Sequence, residues 1–245
     1  MLSPEVLAEQ VMGYVVGASE LIPTLNPSSK KSYSVAILPQ GPHFYTGLLQ
    51  AAGYLLLNNQ KKNLLILSQQ SDDKKNILID TIDYGPIIGQ TWKNSATKIN
   101  SIVRSIGAKK GLFQQKPLSD QIDFQIPFFR VIIGNEKLLH ISIGDNISQI
   151  QIKKLGLWIH NHINQYNVVI LTNIELSKSM KSKKSEEQDQ IAKIIQTKSQ
   201  STPLLTTFQQ ILALQKKKPE IIAYVNPGDF GKTKSLTTRY ICAVG

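Results

Sequence analysis

The segment from Pro39 to Gly47 reads Pro-Gln-Gly-Pro-His-Phe-Tyr-Thr-Gly, and it decides the fold prediction. The run from Tyr33 to Leu38 directly before it is typical of a strand, and the apolar run from Leu48 to Leu57 directly after it is typical of a helix. A strand, a turn rich in glycine and proline, and then a helix form the connection at which α/β proteins place their functional residues. We therefore expect a functional site at the carboxyl end of this strand.

Strand-like and helix-like segments alternate along the rest of the chain, and several strand-like runs are continuously apolar, as expected of strands covered on both faces. This alternation predicts an α/β fold: a single layered domain over residues 1–245 with a mostly buried central sheet flanked by helices, in which residues 1–32 form an N-terminal helix and a lead-in. The predicted strands cover Val35 to Leu38, Asn63 to Leu67, Ile77 to Ile82, Phe128 to Ile133, Leu138 to Ile143, Val168 to Leu171, Ile221 to Val225 and Arg239 to Val244. The predicted helices include Thr91 to Ile106, Gln149 to Tyr166, Glu186 to Gln196 and Thr206 to Lys217.

The chain is strongly basic, with a formal net charge of +11 and 28 lysine and arginine residues. Only Arg104, Arg130 and Arg239 are arginine, whereas recognition of bases and phosphates favours the bidentate guanidinium group. The lysines are scattered along the whole chain, which is typical of a solvated basic surface. Nucleic-acid binding is therefore the weakest of the functional hypotheses.

Membrane and extracellular functions are not indicated by the sequence. No run of about 18 apolar residues occurs, so we expect no transmembrane helix and no membrane partner. Residues 1–18 contain acidic residues and no lysine or arginine, unlike a secretory signal. Cys242 is the only cysteine, which excludes an internal disulfide and a cysteine-based zinc site, and its strand-like surroundings favour a buried core residue over a nucleophile. A cytoplasmic location is expected.

The segment 39–47 resembles the Pro-His-Ala-Gly-Tyr-x-Tyr-Ser-Gly signature of the Memo family, which is similar in fold to extradiol dioxygenases of the LigB type. Weaker similarities follow in the family's order, so the resemblance covers about residues 33–245. They lie at Ala51 to Tyr54, Leu64 to Ser71, Asp123 to Phe128, Ile141 to Gly144, Val168 to Leu176 and Tyr224 to Gly245. The resemblance implies a Memo/LigB-like fold, although a fold does not determine a function.

The resemblance also places the family's pocket on this chain. The family's proposed metal ligands are two histidines and, in some members, a late cysteine, and these positions fall on Gln40, Ser71 and Phe230. Two further family histidines fall on Gln125 and Lys178, and the family's two carboxylates are kept as Asp123 and Glu175. His43 of the opening loop is expected at the pocket rim. The expected pocket residues are Gln40, His43, Ser71, Asp123, Gln125, Glu175, Lys178 and Phe230.

These replacements decide the functional hypothesis. Iron, copper and zinc prefer imidazole, thiolate or carboxylate ligands, whereas a glutamine oxygen and a serine hydroxyl are weak donors. Loss of the histidines also removes the best acids and bases near neutral pH. The sequence therefore predicts a Memo-like protein with a degenerate metal pocket, which binds a ligand or a partner without catalysis. No cofactor is expected, although the resemblance implies iron or copper for working family members.

An alternative hypothesis keeps metal chemistry. A diverged metal-dependent enzyme of dioxygenase ancestry would use a rebuilt site of Asp123, Glu175 and His43, and such a site suits a hard ion such as Mg²⁺ or Mn²⁺. The family's bacterial members are often named AmmeMemoRadiSam system protein B, which implies a radical-SAM protein or an AMMECR-type protein as a partner. The remaining histidines, among them His140, are expected to be structural or surface residues.

Overall fold

One mixed sheet of nine strands organises the described part of the chain in a computed structural model of the protein. The structure describes residues 4–25, 32–57, 63–69, 75–80, 84–87, 90–92, 102–111, 122, 125–134, 138–176, 184–197, 202–226 and 238–245. The strands are β1 (Val35–Leu38), β2 (Asn63–Gln69), β3 (Ile77–Asp80), β4 (Tyr84–Ile87), β5 (Gln90–Trp92), β6 (Lys109–Gly111), β7 (Leu138–Ile143), β8 (Tyr166–Leu171), β9 (Ile174–Glu175), β10 (Glu220–Val225) and β11 (Thr238–Val244). The helices are α1 (Pro4–Leu25), α2 (His43–Leu56), α3 (Ile126–Ile132), α4 (Gln149–His162), α5 (Lys184–Gln196) and α6 (Pro203–Gln215).

The centre of the sheet is parallel. Strands β1, β8, β2 and β7 lie side by side in this order, so their carboxyl ends share one edge of the sheet. On one side β11 pairs antiparallel with β1, and β10 and β9 both pair with β11. On the other side β3 pairs antiparallel with β7, and β6 pairs parallel with β3. Strands β4 and β5 pair with each other. The prediction of an α/β fold with a central sheet flanked by helices is confirmed.

Helices cover both faces of the sheet. Side chains alternate between the two faces along each strand, so each strand contributes to a core on either face. Val35 and Ile37 of β1 belong to a core that includes side chains of α4, α5 and α6, which we call the apolar face. Ala36 and Leu38 belong to a second core that includes side chains of α1, α2 and α3. We call this second core the mixed face, because polar side chains are buried within it.

The predicted strand from Phe128 to Ile133 is wrong, because Ile126–Ile132 forms the helix α3. Short apolar runs of aromatic and β-branched residues occur in buried strands and in buried helices alike. Pro127 is the helical signal in this run, since proline suits the first turn of a helix. Phe128 and Phe129 are both fully buried in the mixed face. The helix α3 bears on the site, because its N-cap residue is Gln125.

The predicted helix from Thr91 to Ile106 is wrong at its start. Thr91 and Trp92 belong to β5, residues 102–106 are helical, and residues 93–101 lie outside the described residues. The other predicted strands and helices agree in type with the described elements, with shifts at their ends. Among the helices that the structure describes, none combines the length and the apolar character needed to cross a membrane.

Candidate functional site

Two fully buried glutamines meet at the carboxyl end of β1. The carbonyl oxygen of Pro39 accepts hydrogen bonds from Nε2 of Gln50, at 3.3 Å, and from Nε2 of Gln125, at 3.5 Å. Gln50 belongs to α2, and Gln125 precedes α3. One backbone oxygen at the end of a parallel strand therefore holds side chains from two different helices.

Gln40 extends the pairing of β1 with β8 beyond the two strands. Its Nε2 donates a hydrogen bond to the carbonyl oxygen of Leu171 at 2.6 Å. Its backbone N–H donates to Oδ1 of Asn173, and its backbone carbonyl oxygen accepts from Nδ2 of Asn173, both at 3.0 Å. The side chain that replaces a family histidine by resemblance thus binds backbone and fixes the start of the loop.

His43 is buried, which corrects its expected place at the pocket rim. It is the first residue of α2 and only 6% exposed. Its ring meets Phe128 edge-on, with ring centroids 5.0 Å apart and 84° between the planes, and Tyr14 lies 6.4 Å away on the other helix α1. The loop sequence alone could not show this burial, because the covering rings come from distant segments of the chain. His43 is part of an aromatic cluster with Tyr14 and Phe128.

Gly47 allows α1 to approach this aromatic cluster. A Cβ atom at position 47 would lie 2.6 Å from a ring carbon of Tyr14, which is too close for two carbon atoms. The ring of Tyr14 also lies 6.1 Å from the ring of Phe128. The glycine that closes the opening segment is therefore required by packing between α1 and α2.

The turn before α2 depends on a second glycine. Gly41 has a φ of 151°, which favours glycine. A Cβ atom there would also lie 3.2 Å from Cγ2 of Thr46. The hydroxyl of Thr46 lies 3.0 Å from the carbonyl oxygens of both Gly41 and Pro42. The N-cap residue of α2 is Pro42, whose side chain makes no capping hydrogen bond. The hydroxyl of Thr46, inside the helix, stabilises the first turn instead.

Tyr54 adds a buried hydroxyl to the same region. Its ring is fully buried and nearly parallel to Phe128, with 6.4 Å between ring centroids and 3° between the planes. Burial raises the pKa of Tyr54, because the phenolate would lose its hydration, so the hydroxyl stays protonated. Gln50 and Tyr54 are four residues apart on α2 and therefore share one face of that helix.

Three buried polar atoms of this region have no hydrogen-bond partner within the described residues. They are Oε1 of Gln50, Oε1 of Gln125 and the hydroxyl oxygen of Tyr54. An unpaired buried polar group costs about 1–3 kcal/mol, and such groups are rare in folded proteins. We call these three residues the glutamine–tyrosine site. The glutamine oxygens of this site lie near the carboxyl end of β1, which is where α/β sheets bind ligands.

The structure describes four of the eight expected pocket residues. It brings Gln40, His43 and Gln125 together around the carboxyl end of β1, whereas Glu175 is exposed on β9 and accepts a hydrogen bond from the hydroxyl of Thr238. The other four lie outside the described residues, namely Ser71, Asp123, Lys178 and Phe230. Sequence reasoning missed Gln50 and Tyr54, although a glutamine inside the apolar run of α2 was an available signal.

The described residues of the pocket do not suit iron or copper. Gln40 and Gln125 offer amides whose nitrogen atoms hold backbone oxygens, and His43 is enclosed by aromatic rings. Iron and copper sites are built from imidazole, thiolate and carboxylate ligands. Within the part of the chain that the structure describes, no three histidine, cysteine, aspartate or glutamate residues come together in a ligand set.

A buried serine–histidine pair lies on the mixed face, in the centre of the sheet. The hydroxyl of Ser68 on β2 lies 2.8 Å from Nε2 of His140 on β7, and the hydroxyl of Ser142 lies 3.4 Å from the same atom. Ser68 is 1% exposed and His140 is 4% exposed. The expectation of a structural or surface role for His140 is thus narrowed to a buried polar contact between strands. Polar residues at inward positions of apolar strands were the signal for it.

Cys242 is fully buried on β11, as its strand-like surroundings predict. Burial raises the pKa of its thiol to about 12. Its Sγ atom would lie 3.3 Å from a Cβ atom at position 53, so the thiol packs against the glycine of α2. The core assignment of Cys242 is therefore confirmed.

Comparisons with known proteins support the fold class. The chain is similar in structure to an uncharacterized protein, JW3007 from Escherichia coli K12, whose crystal structure is known. The two share a TM-score of 0.56 and 8% sequence identity, and the match covers 86% of this chain and 99% of that chain. No family model matches the sequence, and no curated protein matches it either. At this identity the similarity concerns the α/β fold alone, and the Memo resemblance stays a prediction.

Proposed function

We propose that this chain is a Memo-like protein that binds a small ligand at the carboxyl end of β1 and does not use the family's metal chemistry. The observation that supports the proposal most is the pair of fully buried glutamine oxygens, Oε1 of Gln50 and Oε1 of Gln125, which have no partner among the described residues. A protein that keeps such atoms loses stability unless a bound molecule satisfies them.

The position of these atoms supports the same proposal. Ligands of open α/β sheets bind outside the carboxyl ends of the parallel strands. Gln50 and Gln125 both reach this edge through the carbonyl oxygen of Pro39. The helices that carry them also carry the aromatic side chains of His43 and Phe128. Apolar and aromatic walls with a few convergent polar groups are typical of small-molecule sites.

The proposal includes a cytoplasmic location and a protein partner. A radical-SAM protein or an AMMECR-type protein is the partner that the resemblance implies. The direct measurement is co-purification of the tagged chain with either kind of protein, from cells that express this chain and that partner.

Native mass spectrometry of protein purified without chelators tests the ligand. We expect a mass excess below about 1 kDa under native conditions that disappears on denaturation. The excess should also disappear in the double variant Gln50→Leu and Gln125→Leu, which removes both unpaired oxygens. The exposed residue Gln188 on α5 supplies the matched control, and Gln188→Leu should keep the excess. A native mass equal to that of the bare chain in every preparation would contradict ligand binding.

Elemental analysis of the same protein separates the proposal from the metal-dependent alternative. We expect less than about one tenth of an equivalent of iron, copper or manganese per chain, because a built metal site would hold about one equivalent. Stoichiometric metal that is lost in His43→Ala would contradict the proposal and establish the alternative.

A further inference from the structure

We infer that the ligand of the glutamine–tyrosine site is an uncharged primary amide, that is, a carboxamide or a urea. The inference rests on the proposed function and names the class of molecule that the site takes. It follows from which atoms of Gln50, Gln125 and Tyr54 are unpaired and from what those atoms can bind.

The two glutamines require a hydrogen-bond donor. Each side-chain amide has one acceptor oxygen and one donor nitrogen group, and the carbonyl oxygen of Pro39 already holds the nitrogen of both. This contact orients the amides, since an oxygen facing the Pro39 carbonyl would be repelled. The unpaired atoms of Gln50 and Gln125 are therefore both acceptors. A ligand that offers two N–H groups from one nitrogen matches two such acceptors.

Tyr54 supplies the complementary group. A phenol hydroxyl both donates and accepts a hydrogen bond, and burial raises the pKa of Tyr54, so its proton is retained. The hydroxyl has no partner within the described residues and can donate to the carbonyl oxygen of the ligand. Two acceptors and one donor are the complement of one primary amide, whose NH₂ group donates twice and whose C=O group accepts.

The three groups come from one neighbourhood of the fold. Gln50 and Tyr54 share a face of α2, and Gln50 and Gln125 share the carbonyl oxygen of Pro39. The ring of Tyr54 lies parallel to Phe128, which follows Gln125 by three residues at the start of α3. Both elements that carry the unpaired atoms are thus fixed against the same end of β1.

Charge selects a neutral ligand over an ammonium or a carboxylate. A carboxylate has only acceptor oxygens, so it would face two further acceptor oxygens without a hydrogen between them. A buried cation needs a paired carboxylate, whereas the three unpaired groups of Gln50, Gln125 and Tyr54 are all uncharged. The net charge of +11 further disfavours a cation.

The test uses three molecules of one shape: acetamide, acetate and acetamidinium. Acetamide offers an NH₂ group and a carbonyl oxygen, acetate offers two acceptors, and acetamidinium offers donors with a positive charge. We measure binding to the full chain by ligand-observed NMR titration. Acetamide should saturate the site at about millimolar concentration, as expected for a four-atom ligand, and the two ions should bind at least tenfold more weakly.

Variants assign the binding to the site. Gln50→Leu, Gln125→Leu and Tyr54→Phe should each weaken acetamide binding at least tenfold, whereas Gln188→Leu on the apolar side should leave it unchanged. Circular dichroism of each variant confirms that the fold is kept. Tyr54→Phe retains the ring, so its loss of binding reports the hydroxyl alone.

The failures are distinguishable. If acetate or acetamidinium binds most tightly and loses binding in Gln50→Leu and Gln125→Leu, the amide class is overturned while the ligand site stands. If none of the three molecules binds, the amide class is overturned, and if the native mass of the purified protein also equals that of the bare chain, the ligand site is overturned as well.

Discussion

The two faces of the sheet place their buried polar groups differently. On the apolar face, Thr206 and Thr207 of α6 donate hydrogen bonds to backbone oxygens one turn earlier, and Arg239 pairs with Glu187 of α5. On the mixed face, the glutamine–tyrosine site has atoms without partners among the described residues. Unpaired buried atoms also occur on the helices of the apolar face, at Gln209 and Gln215 of α6, but the two unpaired glutamine oxygens of the mixed face lie near the carboxyl end of β1, where we place the ligand.

The starts of the helices follow the same division. On the apolar face, Ser148 caps α4 through a reciprocal capping box with Gln151, and Thr202 caps α6. On the mixed face, α2 follows Pro42 and α3 follows Gln125, and neither residue makes a side-chain cap. Capping contributes about 1 kcal/mol per helix. The helices that bear the proposed site forgo this stabilisation at the ends that meet the site.

The largest expected effect concerns the apolar face. Phe208 of α6 is fully buried, so Phe208→Ala should lower the free energy of unfolding by about 3–5 kcal/mol through lost burial and a cavity. Urea denaturation followed by circular dichroism measures it. Leu214→Ala on the same helix is the control, because Leu214 is 37% exposed and should lose far less. Equal losses for the two variants would contradict the assignment of Phe208 to a packed core.

Packing between α1 and α2 is the second expectation. Gly47→Ala should lower the free energy of unfolding by about 1–3 kcal/mol, because the new methyl group would collide with the ring of Tyr14. Thermal unfolding measures the change. Gly13→Ala is the matched control on α1, where nothing lies within 4 Å of the new atom, and it should raise stability by about 0.5–1 kcal/mol. A destabilising Gly13→Ala would show that α1 is covered differently.

The helix caps give a smaller expected effect. Ser148→Ala should cost about 1 kcal/mol, since it removes the acceptor for the backbone N–H of Gln151. Ser148→Asp keeps an acceptor at this position and should restore most of the loss. Both variants are compared by urea denaturation. A cost of Ser148→Ala that Ser148→Asp does not reverse would assign the loss to something other than the cap.

The smallest effect reverses in sign on the mixed face. Gln125→Leu in ligand-free protein should leave the free energy of unfolding unchanged or raise it by less than about 1 kcal/mol, because the variant removes an unpaired buried oxygen. Phe208→Ala and Gln125→Leu thus report opposite uses of buried positions. A loss of several kcal/mol in ligand-free Gln125→Leu would show that the glutamine is structural, and the contrast between the faces would fall.

The sequence predicts the sheet better than the site. Continuous apolar runs such as Leu64 to Leu67 identify interior strands, because only strands covered on both faces need apolar residues throughout. The same reasoning predicted a strand where the structure has the helix α3. The run from Phe128 to Ile133 is too short to show a helical hydrophobic period, and only Pro127 indicates a helix. The resemblance directed attention to Gln40, His43 and Gln125, which the fold brings together.

The sequence does not predict which groups these side chains contact. Gln50 and Gln125 both donate to the carbonyl oxygen of Pro39 because of how two helices are placed on the sheet. No local sequence pattern encodes this placement. The burial of His43 depends on Tyr14 and on a helix that was predicted as a strand. Side chains whose neighbours are distant along the chain need the tertiary structure.

The position of β1 in the sheet has a consequence for the order of folding. β1 lies between β8 and β11, both much later in the chain, and the contact of Gln40 with Asn173 spans 133 residues. Loops of this length make closure slow, because their entropy is lost before the contacts form. On the ribosome, β1 must therefore wait for both β8 and β11 to emerge before it gains its two neighbours. The residues around Pro39 are synthesised long before their partners on β8 and β11, and they are enclosed only when those strands arrive.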